Sequence, residues 1–265
     1  MSPRRRVSLV VAGAAVAAAG AAVGVTLATR TAVPKQRGAT PRFFADSTAP
    51  PGVARDVQEA LRAWPSGTVR RLRIVGAQHR QSALVRFELG LALAFSGSPD
   101  AARQAWRDAE RAQPDSPSAV RAEDLLHPGT PPGKPPFVAG FRRPRDGTDE
   151  LLARGIAFQA ALRPVSAERA FSAAAKRDPA NAEAQVAAAV GLYDKDHPER
   201  AFSRLGPLVR RFPHAQTVRF HLGLLLIYLR QFPQARTELR LAVAEGPRTP
   251  VAKQARILLK ASRKR

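Results

Sequence analysis

The densest group of side chains able to do chemistry is the run of Asp194, Lys195, Asp196 and His197. Two carboxylates and an imidazole can in principle bind a divalent metal ion or exchange protons. Pro198 follows directly, and proline often occupies the first position of a helix, with Asp and similar polar residues in the turn before it. We therefore interpret the run as a solvated turn that precedes a helix, with metal binding as the alternative.

Other residue types that catalysis usually needs show no productive spacing. The chain contains no cysteine, which excludes disulfides, thiolate nucleophiles and cysteine-based metal sites. The remaining histidines, His79, His127, His214 and His221, are scattered. No nucleophile elbow, phosphate-binding loop, dinucleotide fingerprint or zinc-protease helix occurs in the sequence. We therefore expect a protein that is not an enzyme and that binds neither a cofactor nor a metal.

The charge balance is strongly basic. The 265 residues include 43 Lys and Arg against 21 Asp and Glu, for a formal net charge of +22. This excess favours attraction to anionic lipid headgroups, wall polymers or an acidic partner. Nucleic-acid binding would usually add aromatic residues among the arginines or a known reading motif, and the sequence has neither, so we do not expect a nucleic-acid partner. The abundance of Arg, Ala, Gly and Pro is also typical of a GC-rich bacterial genome.

The first 30 residues are predicted to be a targeting segment. Arg4, Arg5 and Arg6 precede 23 uncharged residues at 7–29, and at about 1.5 Å per residue a helix of this length crosses a hydrocarbon core of about 30 Å. We expect an uncleaved signal anchor; a cleaved signal peptide is the alternative. The arginines favour an N-terminus in the cytoplasm, which predicts a single-pass protein of the cytoplasmic membrane with its folded part outside. Secretion is the alternative to this location.

The rest of the chain contains helical patterns that repeat. Pro179, Pro213 and Pro247, each at the end of a helical pattern, recur at an interval of 34 residues. Each unit has a small residue and, four residues later, a bulky one at a fixed offset: Ala167 and Phe171, Ala201 and Leu205, Ala235 and Leu239. An earlier stretch, LVRFELGLALAFSGSPDAARQAWRDAERAQP, fits the same template with Gly90, Ala102, Trp106 and Pro114. The corresponding first-helix positions later in the chain are Gly155, Ala189 and Gly223.

These offsets resemble the tetratricopeptide repeat (TPR) family, in its membrane-anchored bacterial form, over residues 83–116 and 148–260. The resemblance implies an all-α solenoid of stacked helical hairpins, in which Gly or Ala at the helix crossing lets two backbones approach closely. The repeats are predicted at 83–116, 148–181, 182–215 and 216–249. A capping helix in the stretch to residue 265 is predicted to begin at Thr249 and Pro250.

Two linkers divide the chain around these repeats. Residues 31–51 follow the targeting segment, and an N-terminal helical region is expected at 52–126. Within that region TVRRLRIVG is either an extended piece or a helix, and PSAVRAEDLL is predicted to cap the first repeat as a helix. Residues 127–147 contain six prolines and cannot continue a helix, so we expect a flexible linker that adds nothing to the core.

The resemblance also implies a binding surface. TPR arrays bind proteins or peptides on the concave surface formed by their first helices, at positions 2, 5, 9 and 12 of each repeat. Carried over to this chain, these positions are Leu84, Phe87, Leu91, Ala94, Asp149, Leu152, Ile156, Gln159, Glu183, Val186, Val190, Tyr193, Thr217, Phe220, Leu224 and Ile227. Phe87 and Leu91 replace the Lys and Asn with which chaperone-binding members hold a terminal carboxylate. We therefore expect an apolar groove for a protein or peptide partner; coverage of these side chains by neighbouring segments is the alternative.

Together these features predict a membrane-tethered, non-catalytic TPR scaffold or adaptor that mediates protein–protein interaction, in a role such as cell-envelope assembly. The alternative is a secreted or extracytoplasmic basic protein that binds polyanions, such as lipid headgroups or wall polymers.

Overall fold

The computed structural model describes residues 44–262, which form twelve α-helices and no strand. In chain order the helices are α1 (Pro51–Leu61), α2 (Thr68–Gln78), α3 (Ala83–Phe95), α4 (Pro99–Ala112), α5 (Pro117–Leu126), α6 (Gly147–Ala160), α7 (Pro164–Arg177), α8 (Ala182–Gly191), α9 (Glu199–Arg211), α10 (Gln216–Tyr228), α11 (Phe232–Glu245) and α12 (Pro250–Ser262). The predicted all-α class is confirmed, and TVRRLRIVG belongs to helix α2. The expected signal anchor lies outside the described residues. None of the helices within 44–262 is both long enough and apolar enough to cross a bilayer.

Local sequence explains where many of the helices begin. The Asp146 carboxylate accepts hydrogen bonds from the backbone amides of Thr148 and Asp149 at 2.8 and 2.9 Å, which caps α6. Thr249 Oγ1 accepts from the Ala252 amide at 3.0 Å, so the predicted cap of α12 is confirmed. Helices α1, α4, α5, α7 and α11 have a proline in one of their first two positions, where the missing amide proton costs no helical hydrogen bond.

Three of the hairpins turn in the same way. Gly97, Leu162 and Arg230 occupy the same position of the predicted units and have φ values of 83°, 55° and 61°. In each case the next amide donates to a carbonyl five residues back, at 2.9 Å from Ser98 to Leu93, 2.9 Å from Arg163 to Phe158 and 2.8 Å from Gln231 to Leu226. This bond satisfies a carbonyl at the end of the first helix, which is the role of a Schellman turn. The turn therefore recurs at the same position in three of the four predicted units.

The two helices of a hairpin approach each other closely at a glycine. A Cβ atom on Gly155 would lie 2.2 Å from the Phe171 ring. The equivalent distances are 2.2 Å from Gly90 to the Trp106 indole and 2.8 Å from Gly223 to Leu239 Cγ. The bulky residue of each of these hairpins therefore packs against the glycine of its own hairpin, where the missing side chain leaves room for it.

Contacts between helices run mainly along the chain. Consecutive hairpins within α6–α11 pack on one another, and their first helices also contact each other, as α6 does with α8 and α8 with α10. Such neighbour-to-neighbour packing is typical of a helical solenoid. Helices α1–α5 and α6–α12 have separate hydrophobic cores, so the array consists of two groups.

The proline-rich segment between the two groups contributes to the second core. It contains no helix, as predicted, but the expectation that it adds nothing to the core is wrong, because Phe137 and Ala139 are only 1 % and 6 % exposed. Proline prevents a helix but allows an extended chain, and an extended chain can still bury alternate side chains.

Candidate functional site

The predicted groove residues lie on α3, α6, α8 and α10, the first helices of the hairpins, except Tyr193, which follows the end of α8. Most of them are buried: Leu84, Phe87, Asp149, Leu152, Ile156, Val186, Val190, Tyr193, Thr217, Phe220, Leu224 and Ile227. Leu91, Ala94, Gln159 and Glu183 are half-buried. Their binding of a partner stays a prediction. What the structure adds is that part of the surface is covered by the chain itself.

An extended stretch, residues 135–140, lies across helices α6, α8 and α10. We call it the resident segment, and the helix surface beneath it the C-terminal groove. Burial alternates along the segment: Pro135, Phe137 and Ala139 are buried, whereas the residues between them are half-buried. This period of two is that of a chain extended along a surface, with every second side chain directed into it. The segment therefore has a floor-facing side and an outer side.

Phe137 is the most deeply inserted side chain of the resident segment. Its ring centroid lies 5.4 Å from that of Phe171 on α7, in an edge-on arrangement. On its other side it stacks on the His221 ring of α10, with centroids 5.0 Å apart and an interplanar angle of 17°. Contact with aromatic rings from two helices makes Phe137 the anchor of the segment.

The backbone of the resident segment is bound by side chains. Gln159 of α6 accepts from the Phe137 amide through Oε1 at 2.9 Å and donates through Nε2 to the Pro135 carbonyl at 3.4 Å. The Tyr228 hydroxyl of α10 donates to the Lys134 carbonyl at 3.2 Å. A carboxamide has both a donor and an acceptor, so Gln159 pairs with the segment much as a neighbouring strand would.

Two titratable side chains bind the other end of the segment. His221 Nε2 accepts from the Val138 amide at 2.9 Å, and Glu183 Oε1 accepts from the Gly140 amide at 2.9 Å. A Cβ atom on Gly140 would lie 2.3 Å from Glu183 Oε1, so a larger residue at this position requires the Glu183 carboxylate to move from its bond to the amide. Burial raises the pKa of Glu183, and the hydrogen bond from Gly140 offsets part of that rise.

His221 is a neutral imidazole in this site. Since Nε2 accepts from Val138, Nδ1 must hold the proton, which it donates to the Thr217 carbonyl at 2.7 Å. Complete burial lowers the pKa of His221 to about 4, against an opposing effect of the bond to Thr217. A second proton would place an N–H of the ring against the N–H of Val138.

The first helical group binds Phe44 in a similar manner. The Phe44 amide donates to Glu88 Oε1 of α3 at 2.7 Å, and the Phe44 ring lies edge-on to Phe87 with centroids 5.5 Å apart. The nearby Asp46 carboxylate accepts from the Ser118 amide at 3.0 Å. Burial raises the pKa of Glu88 to about 8, with the Phe44 bond acting in the opposite direction. In both groups, a side chain of a first helix thus accepts from the amide of a phenylalanine.

A polar junction joins the two helical groups. Lys195 Nζ lies 2.5 Å from Asp124 Oδ1 of α5, and its side chain is fully buried. Lys134 Nζ, just before the resident segment, lies 2.5 Å from Glu123 Oε1. Burial and the nearby Glu123 raise the pKa of Glu110 to about 7. Glu110, Glu123 and Lys134 line a cleft of about 250 Å³ between the two groups of helices.

The run from 194 to 197 forms the turn predicted from sequence. Asp194 Oδ1 accepts from the amides of Asp196 and His197 at 2.8 and 3.2 Å. Asp196 and His197 are both exposed. Lys195 alone departs from this interpretation, because it is directed into the junction with Asp124. A lysine in a polar turn carries no sign of burial in its sequence, since its partner lies 71 residues away.

Sequence reasoning named Gln159 and Glu183 as groove residues, and both contact the resident segment. It missed Phe137 and His221. The signal for Phe137 was the apolar FVA stretch inside an otherwise proline-rich loop. His221 falls between the predicted binding positions of its helix, and no pattern distinguishes it.

No protein-family model matches the chain. A search of curated proteins also gave no match.

Proposed function

We propose that this chain is a non-catalytic scaffold or adaptor whose hairpins are TPR units and whose first helices bind an extended segment of a protein partner. Binding of the resident segment's backbone by Gln159, His221 and Glu183 is the observation that carries the proposal. Side chains that satisfy a peptide backbone can bind an extended chain whether or not it is covalently attached.

Three further features support this reading. The small residue at each helix crossing, the repeated turn and the 34-residue interval agree with one another, as expected of a repeat array. Repeat arrays offer long surfaces and usually act by binding. The uncharged stretch at residues 7–29 would anchor the array in the cytoplasmic membrane as a single span. The helices would then lie outside the cytoplasm, in a position to act in cell-envelope assembly.

The basic surface supports a second candidate function, the binding of polyanions by a secreted or extracytoplasmic protein. From the end of α10 through α12, six basic side chains are exposed: Arg230, Arg240, Arg248, Lys253, Arg256 and Lys260. Clustered positive charge attracts lipid headgroups and wall polymers, and this attraction weakens as salt rises.

Salt dependence separates the two candidates. The full chain is recovered from its native membrane in low and in high salt, and its bound proteins are captured in both. An adaptor with a spanning anchor should stay with the membrane and keep its partner at about 1 M salt, where the Debye length is about 3 Å. A matched variant with Arg240, Lys253 and Arg256 changed to Gln should capture the same partner. Loss of membrane association and partner in high salt, and in that variant, would favour the polyanion function instead.

A further inference from the structure

The way in which the resident segment is bound indicates which peptides the C-terminal groove can accept. Recognition is divided between the backbone and a few side-chain positions. Gln159, His221, Glu183 and Tyr228 bind the backbone and so require only that a peptide be extended. Sequence is recognised at Phe137, which is enclosed between aromatic rings, and at Gly140, where a side chain would displace the Glu183 carboxylate from its bond to the backbone.

The resident segment is also built so that it could leave. Its amides and carbonyls bond to side chains rather than to a helix or strand of its own, so its departure breaks no backbone ladder. Directly before it, Gly133 and Lys134 bond to Asp124 and Glu123 at the junction. Farther out the chain is solvated, with Pro128 and Gly129 exposed on one side and Arg142 and Arg143 exposed on the other. Exposed flanks of this kind can move without unfolding the adjacent helices.

The same device occurs twice in the molecule. In the first helical group the Phe44 amide bonds to Glu88, and the Phe44 ring packs on Phe87. Phe44 and Phe137 belong to unrelated stretches of sequence, and each precedes a group of helices. Each helical group thus binds the backbone amide of a phenylalanine through a side chain on the first helix of a hairpin, with Phe44 half-buried and Phe137 fully buried.

We propose that the C-terminal groove binds extended peptides that have a proline two residues before a phenylalanine and a glycine three residues after it. The resident segment occupies the same site and therefore competes with such peptides. The partner is then a protein that presents an uncharged, proline-flanked Phe-x-x-Gly stretch. This inference rests on the proposed adaptor function and names the class of its partner. Because the competitor is tethered at both ends, its effective concentration is in the millimolar range, and a partner binds only when it exceeds that competition.

The test uses the purified full-length chain and a fluorescent peptide with the sequence of residues 131–143, PPGKPPFVAGFRR. Phe137→Ala in the chain removes the anchor of the resident segment and so weakens its competition for the groove. Peptide binding, measured by anisotropy, should be about tenfold tighter or more to this variant than to the wild-type chain. Arg143→Ala, in an exposed flank of the same linker, is the matched control and should bind the peptide like the wild type.

Peptide variants test whether the groove recognises particular residues of the peptide. Peptides with alanine at the positions of Phe137 or Gly140 should lose at least about tenfold in affinity for the Phe137→Ala chain, since one loses the anchor and the other clashes with Glu183. Equal binding of these peptides, or no binding of the parent peptide to a chain that keeps its helical circular dichroism, would overturn the proposal.

If Phe137→Ala unfolds the chain, the same peptide added in excess should restore its helical circular dichroism, because a ligand that binds only the folded state shifts folding towards it. Failure of this rescue would equally overturn the proposal. The peptide assay involves neither a membrane nor a natural partner. No peptide binding together with salt-resistant capture of a partner would therefore reject the proposed peptide specificity and keep the adaptor function. Peptide binding without such capture would reject the adaptor function and keep the peptide specificity.

Discussion

At the scale of single residues, His221 has the clearest consequence for the behaviour of the protein. It accepts a backbone amide of the resident segment only while it is neutral, and it is completely buried between Phe137 and Phe220. With the folded pKa lowered to about 4 from the ordinary 6.5, the unfolded chain takes up a proton first as the pH falls. The stability contributed by His221 is therefore complete above pH 6.5 and lost as the pH falls towards 4.

We predict that acidification from pH 7.5 to 5 costs the wild-type chain about 2 kcal/mol more stability than it costs His221→Gln, which has no titrating ring. Urea unfolding of both chains at the two pH values measures this difference, in which contributions common to both, such as that of Glu183, cancel. His214→Gln is the matched control, because the His214 side chain is 88 % exposed. A parallel loss of stability in wild type and His221→Gln would show that His221 is not a buried neutral acceptor.

At the scale of elements, the repeated turn between the helices of a hairpin is both regular and strained. Gly97 adopts its positive φ freely, whereas Leu162 and Arg230 place a Cβ atom in the left-handed region. For residues with a side chain this conformation costs about 1–2 kcal/mol. The turn is kept because it satisfies a helix-end carbonyl and sets the angle at which the second helix returns.

Arg230→Gly should therefore stabilise the chain by about 0.5–1 kcal/mol. It relieves the strain at an exposed position, and this gain exceeds the loss that comes from the greater freedom of glycine in the unfolded state. Arg204→Gly is the control, an exposed arginine inside α9, and should cost about 1 kcal/mol. Thermal unfolding of the two variants gives both values. If both glycines destabilise alike, position 230 does not adopt the left-handed conformation in solution.

Helix positions were the most predictable part of this molecule, because period, caps and proline placement are local properties. PSAVRAEDLL was predicted to be a helix and is α5, and Thr249 caps α12 as expected. The resident segment was not predictable in the same way. Proline content correctly excluded a helix, but whether an extended chain is free or bound depends on side chains far along the sequence, such as His221, which lies 83 residues from Val138.

At the scale of the whole molecule, the two helical groups are held together by buried charges at their junction. The Lys195 side chain is fully buried and its ammonium contacts Asp124, whose side chain is 8 % exposed. The Asp115 carboxylate accepts hydrogen bonds from Arg163 and Ser166 across the same boundary. Burial alone would raise the pKa of Asp115, but these bonds outweigh it and the pKa is lowered. Such contacts fix the entry point of the resident segment, because Lys134 bonds to the neighbouring Glu123.

Lys195→Met should destabilise the chain by about 3–5 kcal/mol, because it leaves the Asp124 carboxylate buried without its countercharge. Arg103→Met is the matched control, since it removes an exposed pair with Asp100 and should cost at most about 0.5 kcal/mol. Denaturant unfolding measures both. Similar small losses in the two variants would mean that the junction is solvated and does not couple the groups.

Above all, the structure places the proline-rich segment in the C-terminal groove. Hydrogen exchange at single amides of the full chain tests this placement most directly, since the segment has no helix or strand that could protect it. We predict that the amides of Phe137, Val138 and Gly140 exchange orders of magnitude more slowly than those of an unstructured peptide, whereas the exposed Arg142 and Arg143 exchange freely. Free exchange at all five amides, with the helices still protected, would contradict this placement.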